Sequence, residues 1–140
     1  MRALVFAAGL GTRLKPLTDT MPKAMVPVGG RPLLQILLEK LRDSGCSRAA
    51  VNVHHFASQI VDCISDNAGF GMDVRVSDET DMLLETGGGM KKAVPLLADS
   101  AEAVPVLVHN VDILSNVDLR QFYADASDRI AEGDLGAVLL

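Results

Sequence analysis

Two glycines and three basic residues lie close together near the start of this 140-residue chain. Gly9 and Gly11 are followed by Arg13, Lys15 and Lys23. Because glycine lacks a β-carbon, the backbone N–H groups of such a stretch can come close to an anion. Arginine and lysine add positive charge at the same place. This combination predicts a binding site for phosphate groups.

The residues that must position this stretch come directly before it. Residues 3–8 are an apolar segment with the length of a strand that is buried on both faces, as central strands of parallel sheets are. In open α/β sheets, ligands bind at the carboxyl ends of the strands. The sequence therefore predicts that residues 9–23 form a loop at the ligand-binding edge of a sheet.

Two common phosphate loops fit this stretch poorly. The dinucleotide pattern G-x-G-x-x-G needs a third small residue where this chain has Leu14, and no acidic residue ends the next predicted strand. The Walker A pattern requires Gly-Lys at a fixed spacing, which follows neither Gly9 nor Gly11. A dinucleotide-cofactor enzyme is therefore the weaker alternative.

The stretch and its continuation resemble the signature of the sugar nucleotidyltransferases. The matching groups are residues 8–14, Pro16-Leu17-Thr18, Pro22-Lys23, Pro27-Val28 and Pro32-Leu33. The resemblance covers nearly the whole chain and is strongest to the N-acetylmuramate-1-phosphate uridylyltransferase and mannose-1-phosphate guanylyltransferase branches. It implies an enzyme that joins a nucleoside triphosphate, UTP or GTP, to a sugar 1-phosphate with Mg²⁺ as cofactor, releasing pyrophosphate. A non-catalytic relative that binds a nucleotide sugar and regulates a partner is the alternative.

The same resemblance implies roles for individual residues. Arg13 and Lys23 are the expected catalytic residues, Arg13 on the β- and γ-phosphates and Lys23 on the α- and attacking phosphates. Asp112 matches the family's metal-binding aspartate, although the family commonly has glycine where this chain has Val111. The expected nucleotide-binding residues are Ala8, Gly9, Gly11, Thr12, Arg13, Lys23 and, in a segment that the family places against the base and ribose, Gly87 and Gly88.

Predicted strands and helices alternate along the rest of the chain. Strands are expected at residues 49–54, 72–76, 104–108 and 136–140, and helices at residues 33–41, 57–64, 90–97 and 117–127. This order predicts an α/β fold, a doubly wound and mostly parallel sheet with helices on both faces. The alternating segment 72–76 suits an exposed strand. The resemblance implies a Rossmann-like nucleotidyltransferase fold, similar to glycosyltransferase A.

Composition and charge narrow the classes of partner. The net charge is −5, yet five basic residues and one acid fall within residues 1–31, which favours a small polyanion over nucleic acid. No apolar run is long enough for a membrane span, and two cysteines without metal spacing suit a cytoplasmic protein. Adjacent His54 and His55 would point to opposite faces and so would not share a metal ion.

The length of the chain sets a further expectation. Residues 1–140 make up the nucleotide-binding portion of a single domain, with no second domain, whereas family members are considerably longer. The resemblance implies that most sugar contacts and a second metal-binding aspartate lie beyond residue 140. We therefore expect a chain truncated at its C-terminus that is inactive alone. Its uncovered apolar surface predicts self-association or a covering continuation.

Overall fold

The computed structural model describes residues 1–98 and 104–133, and the strand predicted at residues 136–140 lies outside them. In chain order, the strands are β1 (Arg2–Phe6), β2 (Pro27–Val28), β3 (Arg31–Pro32), β4 (Arg48–Val53), β5 (Asp73–Asp78) and β6 (Val106–Asn110). The helices are α1 (Leu33–Asp43), α2 (Ala57–Asp66), α3 (Glu85–Leu97) and α4 (Leu119–Ala131). Short 3-10 helices occupy Thr12–Leu14, Leu17–Asp19, Lys23–Met25 and Ala68–Gly71.

Four of the strands form one parallel sheet in the order β5-β4-β1-β6. The predicted parallel α/β sheet is confirmed, and β5, whose alternating sequence suits an exposed strand, lies at an edge of the described sheet. Strands β2 and β3 form a separate antiparallel hairpin. Its turn is made by Gly29 and Gly30, whose φ values of 58° and 80° match the two-residue turn that favours glycine.

Successive side chains of the central strands point to opposite faces, and each face is covered by helices. On one face Val5 of β1 and Val51 of β4 lie in the same core cluster as the buried leucines of α1, and α2 and α4 also contribute. On the other face Leu4 and Ala50 pack with Ala93 and Leu97 of α3. Helices therefore cover both faces, as a doubly wound sheet requires.

Three observed elements begin two or more residues from their predicted starts, and local hydrogen bonding explains two of these differences. Strand β6 begins two residues later than expected, after Pro105, which has no N–H group to donate to a strand partner. Helix α4 begins at Leu119 because the Asp118 carboxylate accepts hydrogen bonds from the N–H groups of Arg120 and Gln121, both at 3.0 Å. Helix α3 begins at Glu85, five residues before its predicted start at Met90.

None of the described helices is long and apolar enough to cross a membrane.

Candidate functional site

A cleft lies at the carboxyl ends of β1 and β6, which are neighbours in the sheet. The chain runs outward from β1 through β4 to β5 and returns on the other side of β1 as β6, so the strand order reverses between them. In open α/β sheets, ligands bind outside the strand ends at such a reversal. The cleft has a volume of about 270 Å³ and is lined by Phe6, Ala7, Gly9, Arg13, Lys23, Asn110, Val111 and Asp112.

The basic loop between β1 and β2 folds back on itself around Gly11. Its φ of 63° lies in the left-handed region that favours glycine. A β-carbon at this position would lie 2.9 Å from Thr18 Cγ2 and 3.1 Å from Lys23 Cβ. Thr18 is buried and its hydroxyl donates a hydrogen bond to the Gly11 carbonyl at 2.8 Å. Glycine therefore permits the close packing that returns Lys23 to the start of the loop.

Gly9 and Arg13 present the loop to the cleft. The Arg13 guanidinium is exposed and makes no hydrogen bond or ion pair with the residues that the structure describes. A β-carbon at Gly9 would meet nothing within 4 Å. The N–H groups of residues 9–12 also have no acceptor within the described part of the chain. The loop thus combines a guanidinium with available amide donors, an arrangement that suits the oxygens of an anion.

Lys23 and Asp112 are far apart in the chain but form an ion pair, Nζ to Oδ2, inside the cleft. Their side chains are 22% and 37% exposed, so both charges remain accessible. Val111 is buried, and its N–H group donates to the Phe6 carbonyl at 3.0 Å. This bond continues the β1–β6 pairing and sets the position of Asp112. The Val111 side chain packs into the core, so a side chain in place of the family's glycine is accommodated here.

His109 lies on β6 just before the cleft and is only 6% exposed. Burial lowers the pKa of its imidazole, and the charge of Lys40 acts in the same direction. The Asn110 carbonyl, which accepts a hydrogen bond from His109 Nδ1 at 2.7 Å, and the Asp112 charge oppose this shift. The net effect is a pKa below the ordinary value of 6.5, so at pH 7 the neutral form of this imidazole is favoured.

The predicted site residues divide into three groups. Gly9, Arg13, Lys23 and Asp112 meet at the cleft. Three others, Ala8, Gly11 and Thr12, belong to the same loop but do not line the cleft. The Ala8 N–H group points away from the cleft, since this group donates to the buried side chain of Asn52 on β4. Gly87 and Gly88 form the third group and lie outside the cleft lining.

The glycine segment was predicted to precede a helix. It lies instead within the first turns of α3. Gly87 is exposed, and a β-carbon there would meet no atom within 4 Å. Gly89 is buried, and a β-carbon there would lie 2.8 Å from Glu79 Oε1. Only Gly89 brings the start of α3 this close to the sheet, because its absent side chain leaves room for Glu79 and Asn52.

Two buried polar residues beside the cleft were not predicted as site residues, Asn52 and Glu79, which are 3% and 1% exposed. Asn52 carries a signal in the sequence because it interrupts the apolar strand β4, and a buried polar side chain needs hydrogen-bond partners. Glu79 carries no comparable signal, since it stands in a run of acidic residues from which the sequence singles out none.

The described residues contain no group of three or more His, Cys, Asp or Glu side chains that could hold a metal ion. Mg²⁺ usually binds one or two carboxylates together with phosphate oxygens and water. Asp112 supplies one such carboxylate at the cleft. The donors present therefore fit a Mg²⁺ ion that is shared with a phosphorylated ligand.

The model of the family described as nucleotidyl transferase matches residues 2–139. The chain is 37% identical over 127 residues to the N-acetylmuramate alpha-1-phosphate uridylyltransferase of Neisseria meningitidis serogroup B, a match that covers 91% of this chain and 53% of that protein. It is 43% identical over 112 residues to the protein of the same name from Caulobacter vibrioides, covering 79% of this chain and 45% of that protein.

A solved structure also shares the fold. HddC from Yersinia pseudotuberculosis complexed with GMP-PN matches with a TM-score of 0.77 and 31% sequence identity, covering 91% of this chain and 54% of that one. The chain thus spans about half the length of these relatives.

Proposed function

The chain belongs to the nucleotidyl transferase family, and on this premise we propose that its cleft serves the transfer of a nucleotidyl group from a nucleoside triphosphate to a sugar 1-phosphate. The products are a nucleoside-diphosphate sugar and pyrophosphate. One observation carries the proposal: Gly9, Arg13, Lys23 and Asp112, drawn from two distant parts of the chain, line one cleft at the reversal point of the sheet.

The proposed reaction needs positioning and charge neutralisation rather than a nucleophilic side chain. A phosphate oxygen of the sugar 1-phosphate attacks the α-phosphorus, and the bond from that phosphorus to the β-phosphate bridging oxygen breaks. Both substrates are polyanions, and negative charge grows on the departing pyrophosphate. Fixed positive groups in a cleft lower the barrier by stabilising that charge.

Each charged residue has a role that its geometry supports. The planar guanidinium of Arg13 has no partner among the described residues. It can donate two hydrogen bonds to oxygens of the β- and γ-phosphates. Lys23 lies deeper in the cleft as a compact charge suited to the oxygens of the α-phosphate and the attacking phosphate. Asp112 would hold Mg²⁺, which when bound supplies additional positive charge to the phosphate oxygens.

The names of the relatives guide the choice of substrates. Two relatives are named as N-acetylmuramate alpha-1-phosphate uridylyltransferases, which supports UTP as the nucleotide and an N-acetylmuramate 1-phosphate as the acceptor. The structure of HddC with GMP-PN keeps a guanine nucleotide as the alternative. We propose UTP, because the two sequence relatives described above are both named as uridylyltransferases.

Isothermal titration calorimetry on this chain tests the nucleotide half of the proposal. UTP, GTP, CTP, dTTP and NAD are titrated separately, each with and without Mg²⁺. UTP with Mg²⁺ should bind most tightly and NAD should not bind. If none of the triphosphates binds, the cleft is not a nucleotide site and the proposal fails.

Pyrophosphate release tests the transfer itself. The native protein is assayed with UTP and a panel of sugar 1-phosphates that includes N-acetylmuramate α-1-phosphate. Release that depends on the sugar phosphate supports the enzyme. Tight nucleotide binding without release by the native protein would favour a non-catalytic relative that binds nucleotide sugars.

A further inference from the structure

A buried side chain ties down the beginning of the basic loop. Asn52 lies at the carboxyl end of β4, in register with Phe6 of β1. Its Oδ1 accepts hydrogen bonds from the N–H groups of Ala7 at 2.6 Å and Ala8 at 3.2 Å. These are the last two residues before Gly9, so Asn52 sets the direction in which the loop leaves the sheet.

The other end of the Asn52 amide is held by a buried carboxylate. Asn52 Nδ2 donates to Glu79 Oε1 at 3.0 Å. Glu79 Oε2 accepts from the N–H group of Leu84, the residue before α3, at 3.1 Å. Within the part of the chain that the structure describes, no basic side chain pairs with this carboxylate. Its partners are therefore the Asn52 amide and the start of α3.

Helix α3 packs against this pair through Gly89. A β-carbon at Gly89 would lie 2.8 Å from Glu79 Oε1 and 3.2 Å from Asn52 Nδ2. The hydrogen bonds also fix the orientation of the amide, since a flipped Asn52 would set a donor against two N–H groups. A single chain of bonds thus links the basic loop to the glycine-rich start of α3.

We propose that Asn52 and Glu79 are positioning residues that hold the phosphate-binding loop in register with the start of α3. This inference rests on the proposed function and deepens it. Neither residue lines the cleft, so each acts through the backbone it holds. The N–H groups of Ala7 and Ala8 donate to Asn52 on the sheet side, whereas those of residues 9–12 remain available for a ligand.

Reversing the polarity of the pair tests the proposal. Asn52→Asp keeps an acceptor for Ala7 and Ala8 but sets a second carboxylate oxygen against Glu79. Glu79→Gln keeps the shape but places a donor against either Leu84 N–H or Asn52 Nδ2. In the double variant, the carboxylate introduced at position 52 accepts a hydrogen bond from the amide NH₂ introduced at position 79. The oxygen of that same amide accepts from Leu84, so every bond is restored with the same net charge.

The affinity for UTP with Mg²⁺ is measured by calorimetry at a temperature well below each variant's unfolding midpoint. Each single variant should bind at least about tenfold more weakly than the parent, because buried groups of like polarity push the loop out of position. The double variant should return to within about threefold of the parent.

A destabilised variant outside the hydrogen-bond network separates positioning from mere stability. Leu97→Ala opens the core under α3 without touching Asn52 or Glu79. It should lower the unfolding midpoint while leaving the affinity for UTP unchanged. If the single variants are folded and bind as the parent does, or if the double variant binds no better than they do, the positioning role is overturned. If the parent itself binds no triphosphate, the proposed function fails, and this inference fails with it.

Discussion

Lys23 and Asp112 neutralise each other in a cleft whose proposed ligand needs both of them. A triphosphate competes with Asp112 for the lysine, and a divalent cation competes with Lys23 for the carboxylate. Because a metal–triphosphate complex offers a new partner to each residue at once, neither charge is left uncompensated when the pair separates. The ion pair therefore opposes binding of such a complex less than it opposes binding of either partner alone.

Because of this ion pair, the effect of Asp112→Asn on the affinity for UTP should depend on whether Mg²⁺ is present. Without Mg²⁺, the variant should bind UTP at least as tightly as the parent, since it removes a negative charge and releases Lys23. With Mg²⁺, the parent should gain about tenfold or more in affinity and the variant much less, because the amide holds the ion poorly. Calorimetric titrations with and without Mg²⁺ measure both effects. Asp62→Asn, an exposed site on α2, is the matched control and should respond to Mg²⁺ as the parent does.

Arg13 and Lys15 stand on one loop with different surroundings. Lys15 already pairs with Asp19 at 3.2 Å on an exposed surface, whereas the Arg13 guanidinium faces the cleft with no partner among the described residues. Arg13→Ala should weaken UTP binding about 10- to 100-fold, as expected for lost charge-assisted hydrogen bonds. Lys15→Ala should change it by less than about threefold, since an exposed pair contributes little. Equal affinities of the two variants for UTP would remove Arg13 from the site.

The cleft could be predicted in part from the sequence, and the reason is geometric. The family resemblance placed Arg13, Lys23 and Asp112 in one site, and they meet because the carboxyl ends of parallel strands share one edge of a sheet. The Lys23–Asp112 pair was not expected, nor were the partners of Asn52. Those contacts depend on the directions of side chains from separate elements, which no local pattern records.

At the scale of elements, periodic apolar residues predicted the helices and strands, whereas individual hydrogen bonds set their ends. The stripe of leucines predicted α1, and the alternation in β5 predicted an exposed strand, which lies at an edge of the described sheet. The start of α4 depends on the Asp118 carboxylate and the start of β6 follows Pro105. The helical state of Gly87 and Gly88 escaped prediction because glycine favours turns when only local preferences count.

Helix α2 offers adjacent residues that test which face holds it to the sheet. Ile60 is fully buried in the core, whereas Val61 is 40% exposed. Ile60→Ala should lower the free energy of unfolding by about 2–5 kcal/mol, since it loses apolar burial and leaves a cavity. Val61→Ala should change it by about 0.5 kcal/mol or less. Urea unfolding followed by circular dichroism compares the two. Equal losses would mean that α2 does not pack as described.

At the scale of the whole molecule, the order of the strands decides what the charges can do. The loop that follows the central strand β1 lies at the carboxyl ends of β1 and β6, so Arg13 and Lys23 line one cleft with Asp112, which follows β6. Of the three basic residues of this loop, Lys15 pairs with Asp19 and Lys23 with Asp112, so Arg13 is the one without a partner among the described residues. The Arg13 guanidinium lines the cleft and suits the oxygens of a small anion.

The same fold makes global stability depend on pH through His109. The unfolded chain exposes this imidazole, which then has a pKa near its ordinary value of 6.5, whereas burial lowers the pKa in the folded protein. Between these two pKa values the unfolded state binds more protons, so the free energy of unfolding falls as the pH drops below about 6.5. Above that pH neither state binds the proton, and this loss is absent.

Replacing the imidazole should remove this part of the pH dependence. His109→Gln is expected to flatten the fall in unfolding free energy between about pH 7 and pH 5, a range in which carboxylates of ordinary pKa contribute less than histidine. Urea unfolding at several pH values measures the slope for parent and variant. The exposed His55 provides the matched control, and His55→Gln should keep the slope that His109 produces. A parent slope that survives in His109→Gln would show that another group, and not this buried imidazole, controls stability in this range.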